Sequence, residues 1–211
     1  MKSRLWILFL VLGLSCLTTA YGQQKPDALE LYKSGYYEEA IEICLWELEQ
    51  TPKSMDSYTV LGWSLIELGR YDQALEYARS GLQISRGDYR IVEIAGEARY
   101  YKKEYESALR YFEEYVVLAL PDEKRIDNVY YFMGECFINL REYNNADIAI
   151  STALYFQPNV ALWWARLGYA REMASDFEWS FDAYEQALKL NPVLREAREG
   201  KDRVAQKLSG G

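Results

Sequence analysis

The chain has 211 residues, half of them hydrophobic, and its 32 acidic against 24 basic side chains leave a formal net charge of −8. That balance argues against a nucleic-acid-binding surface, which needs positive potential over the phosphates. Histidine is absent from the sequence, so the commonest general base and the commonest transition-metal ligand are both missing.

The first 22 residues have the layout of an export leader. Lys2 and Arg4 precede an apolar run from Leu5 to Leu12, and a stretch of small residues follows. Small side chains at Ala20 and Gly22 suit signal-peptidase cleavage after Gly22, which would give a soluble exported form. Cys16, close behind the apolar run, offers a lipid anchor as the alternative, although Gly13-Leu14-Ser15 matches a lipoprotein box poorly. The apolar run is well short of the roughly 20 residues a membrane span requires. A periplasmic or cell-envelope location follows, with the soluble form preferred.

Beyond the leader, five aromatics mark a common phase: Tyr37, Tyr71, Tyr105, Tyr143 and Phe177. Each is followed three residues on by a small residue, Ala40, Ala74, Ala108, Ala146 or Ser180. The markers recur about every 34 residues, the period of a helical hairpin that must stack on its neighbours, with one interval four residues longer. A second column keeps the same phase as Leu61-Gly62, Ala95-Gly96, Met133-Gly134 and Leu167-Gly168, and prolines 52, 121, 158 and 192 stand near the ends of the copies.

Over roughly residues 27 to 192 this pattern resembles the tetratricopeptide repeat family, in which small residues let two antiparallel helices close on one another. The resemblance implies an all-α fold, a right-handed α-solenoid of about five hairpins with approximate bounds 27–54, 55–88, 89–126, 127–160 and 161–192. A capping helix over 193–208 would close it. The first copy has a short leading helix after Pro26 and lacks the apolar-Gly pair. The four-residue insertion falls between Pro121 and Asp127. Asp122 and Glu123 there favour an early helix start, because acids suit the positive N-terminal end; a loop is the alternative.

The second helix of each copy carries an apolar stripe at helical spacing. In the last copy it comprises Phe177, Phe181, Tyr184, Leu188 and Leu190, with Asp176 expected to cap the helix by accepting a backbone N–H bond. Equivalent stripes are Tyr71, Leu75, Ala78 and Leu82, and Tyr105, Leu109, Phe112 and Val116. In the closing helix, Val193, Leu194, Ala197, Val204 and Leu208 are expected to face inward, and Lys201, Arg203, Lys207 and the intervening charges to be solvated. Cys44 and Cys136 are nearly three hairpins apart, too far for a disulfide in a stack whose units touch only neighbours. Two free thiols are expected.

The sequence contains no glycine-rich phosphate loop, no Gly-x-Ser-x-Gly elbow and no Cys-x-x-Cys pair. Adjacent acids such as Glu38-Glu39 and Glu113-Glu114 diverge around a helix and suit solvated faces. No enzymatic activity, cofactor or metal is expected. The family resemblance instead implies a concave groove lined by the leading helices. Carried across in register, the second copy presents Asp56, Thr59, Trp63, Ile66 and Glu67, and the third Arg90, Glu93, Glu97, Tyr100 and Tyr101. The fourth presents Asn128, Tyr131, Glu135, Ile138 and Asn139, and the fifth Leu162, Ala165, Tyr169, Glu172 and Met173.

From these, the expected partner-binding residues are Trp63, Glu67, Arg90, Glu93, Glu97, Tyr100, Tyr101, Tyr131, Glu135, Asn139, Tyr169 and Glu172. They describe an aromatic groove with an acidic stripe, suited to a neutral or cationic extended segment of a protein or peptide partner. Packing of these aromatics between hairpins is the alternative. The expected role is that of a non-catalytic adaptor in the cell envelope. A carrier for a small hydrophobic or cationic solute beside a transporter, and a structural subunit of an envelope assembly, are the competing readings.

Overall fold

A computed structural model describes residues 27–120 and 125–210. Among the described residues there are eleven helices and no strand: α1 Ala28–Lys33, α2 Tyr37–Gln50, α3 Met55–Glu67, α4 Tyr71–Ile84, α5 Tyr89–Tyr101 and α6 Tyr105–Leu118, followed by α7 Ile126–Asn139, α8 Tyr143–Phe156, α9 Ala161–Met173, α10 Phe177–Leu190 and α11 Arg195–Ser209. Each helix packs on its chain neighbours, and α3 on α5, α5 on α7 and α9 on α11 also touch directly. This is an α-solenoid. The export leader, Cys16, and the Pro121, Asp122 and Glu123 on which an early helix start rested lie outside the described residues; α7 itself begins at Ile126.

The five marker aromatics are the first residues of α2, α4, α6, α8 and α10, each 14 residues long. The preceding turn fixes these starts. Gly35, Gly69, Lys103, Arg141 and Ser175 each adopt positive φ, between 63° and 81°. The next residue's N–H then reaches back to a carbonyl inside the leading helix, as in Arg70 to Leu65, Glu104 to Arg99 and Asp176 to Arg171. This left-handed closure of a helix C-terminus satisfies carbonyls that would otherwise be orphaned. Asp176 therefore does not cap α10 with its side chain. Its backbone, at φ −91° and ψ 70°, is held by the turn away from the extended geometry an N-cap adopts. Side-chain caps occur instead on leading helices, where Asp27, Ser54 and Asp88 accept from Leu29, Ser57 and Arg90.

Packing explains the two small-residue columns. Ala40, Ala74, Ala108, Ala146 and Ser180 are fully buried where paired helices meet. The one serine donates its hydroxyl to the Gly168 carbonyl at 2.7 Å, so its polar atom is satisfied within the contact. The glycines permit the same approach from the other side. A Cβ at Gly134 would lie 2.3 Å from Ile150 Cγ1. The apolar stripes supply the core, with Phe112, Tyr115 and Tyr184 fully buried. Leu190 departs from its expected stripe and is exposed, because it stands at the end of α10, beyond the cover of neighbouring helices.

Cys44 and Cys136 are free and buried, and burial pushes both thiols up to about 12. α11 closes the stack with Ala197, Gly200 and Val204 buried, and Gly200 lets the Tyr184 ring sit directly against the helix. Two of the residues expected to point inward do not. Val193, before the helix, is 77% exposed, and Leu208 in its last turn is exposed too. Nor are Lys201, Arg203 and Lys207 merely solvated: they pair with Glu185 on α10 and Glu172 on α9.

Candidate partner-binding face

The acidic stripe expected along the leading helices is present, but it is not accessible. Glu93, Glu97, Glu135 and Glu172 are each at most 7% exposed. Each is met by a cation from the unit that follows. Arg125, just before α7, donates from Nε to Glu93 and from Nη2 to Glu97 at 2.7 Å. Arg166 on α9 grips Glu135 with two bonds, at 2.6 and 2.8 Å. Arg203 on α11 grips Glu172 at 3.0 and 2.8 Å, with Tyr184 donating to the same carboxylate at 3.0 Å. Arg90 on α5 bonds Asp56 on α3 at 2.7 Å and also holds Asp88.

These forked arginine–carboxylate contacts are charge-assisted and directional. Since each crosses from one unit to the next, they fix the stacking rather than attract a ligand. Their electrostatics differ along the ladder. Burial acts against the Glu172 carboxylate, but hydrogen bonds from Arg203 and Tyr184 outweigh it and hold the group below the ordinary carboxylate range. At Glu93, burial, reinforced by the neighbouring Glu97 charge, pushes the carboxyl well above that range despite Arg125. Burial raises Glu97 as well. One arginine cannot neutralise two buried carboxylates, so this pair favours holding a proton.

The aromatics divide between packing and surface. Tyr131 stacks on Trp163 with centroids 5.0 Å apart, Tyr101 stacks on Tyr71 at 5.1 Å, and Tyr100 meets Phe132 edge-on at 5.1 Å. Trp63 lies 5.7 Å from the Tyr32 ring and under the Arg125 guanidinium, and Tyr169 lies under that of Arg166. Tyr101 remains 43% exposed, while Trp63, Tyr100, Tyr131 and Tyr169 are half-buried. Glu67 and Asn139 are exposed.

Two grooves gather Trp63, Arg90, Asn139 and Tyr169 of the expected set, and the exposed Tyr101 and Glu67 line neither. One, of about 920 Å³, lies against α1, the end of α2 and α3, and includes Trp46, Asp56, Thr59, Trp63 and Arg90. The Trp63 indole Nε1 is buried and has no hydrogen-bond partner among the described residues. The second, of about 530 Å³, joins α7 to α9 through Ile138, Asn139, Arg166, Tyr169 and Met173. The arginines at 125, 166 and 203 were not singled out from sequence as groove-forming. Their only signal is an offset of 31 or 32 residues from Glu93, Glu135 and Glu172 respectively, close to the repeat period.

Residues 56–88 and 127–160 match the family model described as tetratricopeptide repeat. The chain is 25% identical over 197 residues to the BBSome complex member BBS4 of Bos taurus, with 76% of this chain and 37% of that protein aligned, so it spans little more than a third of that relative. The solved structure of the APC/C hetero-tetramer Cut9-Hcn1 is similar over 84% of this chain and 35% of that one, with a TM-score of 0.76 at 18% identity. That of YrrB, described as a TPR protein with an unusual peptide-binding site, covers 80% of this chain and 85% of its own, with a TM-score of 0.71 at 14% identity.

Proposed function

We propose that this chain, a member of the tetratricopeptide repeat family, is a non-catalytic protein-interaction scaffold that holds an extended segment of a protein partner along its leading helices. The observation that carries this reading is the 920 Å³ groove against α1, the end of α2 and α3, where the rings of Trp46 and Trp63 stand beside the polar side chains of Asp56, Thr59 and Arg90. The rings give a partner's side chains rigid contact area, and the polar groups can hydrogen-bond an extended backbone.

The ion-pair ladder narrows the partner. With Glu93, Glu97, Glu135 and Glu172 engaged internally, selection of a cationic segment would rest on Asp27, Glu47 and Asp56 in the first groove, and a neutral or cationic partner is bound by stacking and hydrogen bonds at Trp63, Tyr101, Asn139 and Tyr169. The two grooves include the charged side chains Asp27, Asp56, Arg90, Arg141 and Arg166, which suits a peptide backbone better than a small hydrophobic solute. Placement in the cell envelope rests on residues 1–22 alone, and mature-chain sequencing tests it: a start at Gln23 supports cleavage after Gly22, and an acylated start at Cys16 supports the lipid anchor. No helix of the described residues is long and apolar enough to cross a membrane.

Photo-crosslinking tests the face. A benzophenone side chain placed at Tyr101 or Asn139 should capture a partner in native extracts, and one at Glu113 on α6 should not. Capture from Glu113 alone would reject the leading-helix assignment.

A further inference from the structure

A third groove, of about 500 Å³, lies between α4 and α6, with Ala95 and Arg99 of α5 also lining it, and its chemistry is opposite to that of the whole chain. Arg79, Arg86 and Arg99 line it, with a single carboxylate, Glu114, on the wall. Arg79 and Arg86 are exposed and, among the described residues, make no ion pair or side-chain hydrogen bond, in a protein whose net charge is −8. Arg99 reaches Glu104 with one nitrogen and lies over the Tyr111 ring, but its Nε is buried with no partner among the described residues.

The equivalent place between α8 and α10 shows that this is no general property of the fold. Arg171 stands three residues after Gly168, as Arg99 stands three after Gly96, and both are paired, Arg171 with Asp147 by two bonds of 3.0 Å and Arg99 with Glu104, but Ser151 and Pro158 stand in the register positions of Arg79 and Arg86. There the cation is consumed within the protein. Between α4 and α6 two arginines are left over above an apolar floor that includes Leu82 and Tyr111.

We propose that the α4–α6 groove is a second docking site, for an acidic linear peptide whose carboxylates pair with Arg79 and Arg86 while an intervening apolar side chain rests on Leu82 and Tyr111. Guanidinium forks match carboxylates bidentately, and the apolar floor gives a peptide side chain contact that an inorganic anion cannot make. The site does not depend on the leading-helix reading, since it shares no lining residue with the two leading-helix grooves.

The test is fluorescence anisotropy with a fluorescein-labelled peptide repeating Glu-Leu-Asp, beside its Gln-Leu-Asn isostere. The full chain should bind the acidic peptide and not the isostere. The double variants R79E/R86E and R79Q/R86Q should weaken binding by about tenfold or more, as loss of paired charges at an interface does. K53E/R110E makes the same change in net charge as R79E/R86E at exposed sites outside the groove, and should leave binding unaltered, as should Tyr101→Ala. No binding by the unaltered protein, equal binding of the isostere, or an equal loss in K53E/R110E would overturn the proposal. So would complete displacement by equimolar inorganic phosphate. Circular dichroism melting confirms that each variant is folded.

Discussion

The leading-helix face and the α4–α6 groove hold similar ingredients, arginines beside aromatic rings, arranged to opposite effect. On the leading-helix face Arg125, Arg166 and Arg203 are aimed at carboxylates of the preceding leading helix, so charge is converted into stacking order. In the groove Arg79 and Arg86 stand without such partners, so charge remains available to solvent and to a ligand. Net charge therefore does not describe either surface. An acidic chain can present a neutralised face where its glutamates cluster and a cationic one where a single glutamate stands among three arginines.

The sharpest way to break the contrast is to remove a cation from the ladder. Arg125→Ala leaves Glu93 and Glu97 buried without their partner, and should destabilise by about 3–5 kcal/mol, read as a lowered urea midpoint. Arg79→Ala, in the groove, should leave that midpoint almost unchanged. Gly134→Ala tests the close approach of the two helices within a unit: a Cβ 2.3 Å from Ile150 should cost about 1–3 kcal/mol in the same assay.

A smaller effect has a definite sign. A carboxyl whose folded pKa is raised, as at Glu93, contributes stability that is present below its unfolded pKa and lost as pH rises through the folded value. Glu93→Gln should therefore match the parent near pH 4 and exceed it near pH 8, in unfolding midpoints taken at both. Glu172, held low by Arg203 and Tyr184, acts in the reverse sense, its contribution being lost as pH falls through the folded value. The smallest expected effect is local to the turns. Lys103→Gly relieves a left-handed backbone at φ 64° and should raise the thermal midpoint, by no more than about 1 kcal/mol in stability.

The repeat phase was legible because helix starts and close contacts use the same residues in every copy: Tyr37, Tyr71, Tyr105, Tyr143 and Phe177 open helices, and Ala40 to Ser180 are buried. The turns were half hidden. Gly35 and Gly69 announce a left-handed residue two places before the aromatic, but Lys103, Arg141 and Ser175 fill the same position without glycine, because the flanking helices and the backbone bond hold them there. The ladder was hidden further. Glu93, Glu97, Glu135 and Glu172 could be placed on the right helices, yet their partners come from different places in the repeat: Arg125 from the turn beside the insertion, Arg166 from mid-helix and Arg203 from the closing helix. A contact between units leaves no local periodicity. Glutamates that look solvated in one helix are buried by the next.

The central claim, that these carboxylates are struts between units, is tested most directly by a double-mutant cycle on Glu135 and Arg166. Urea unfolding of E135Q, R166M and E135Q/R166M should give two strongly destabilised single variants and a double variant that loses less than their sum, with a coupling of about 1–3 kcal/mol. Additive losses would mean that the two side chains act independently, and would contradict the account.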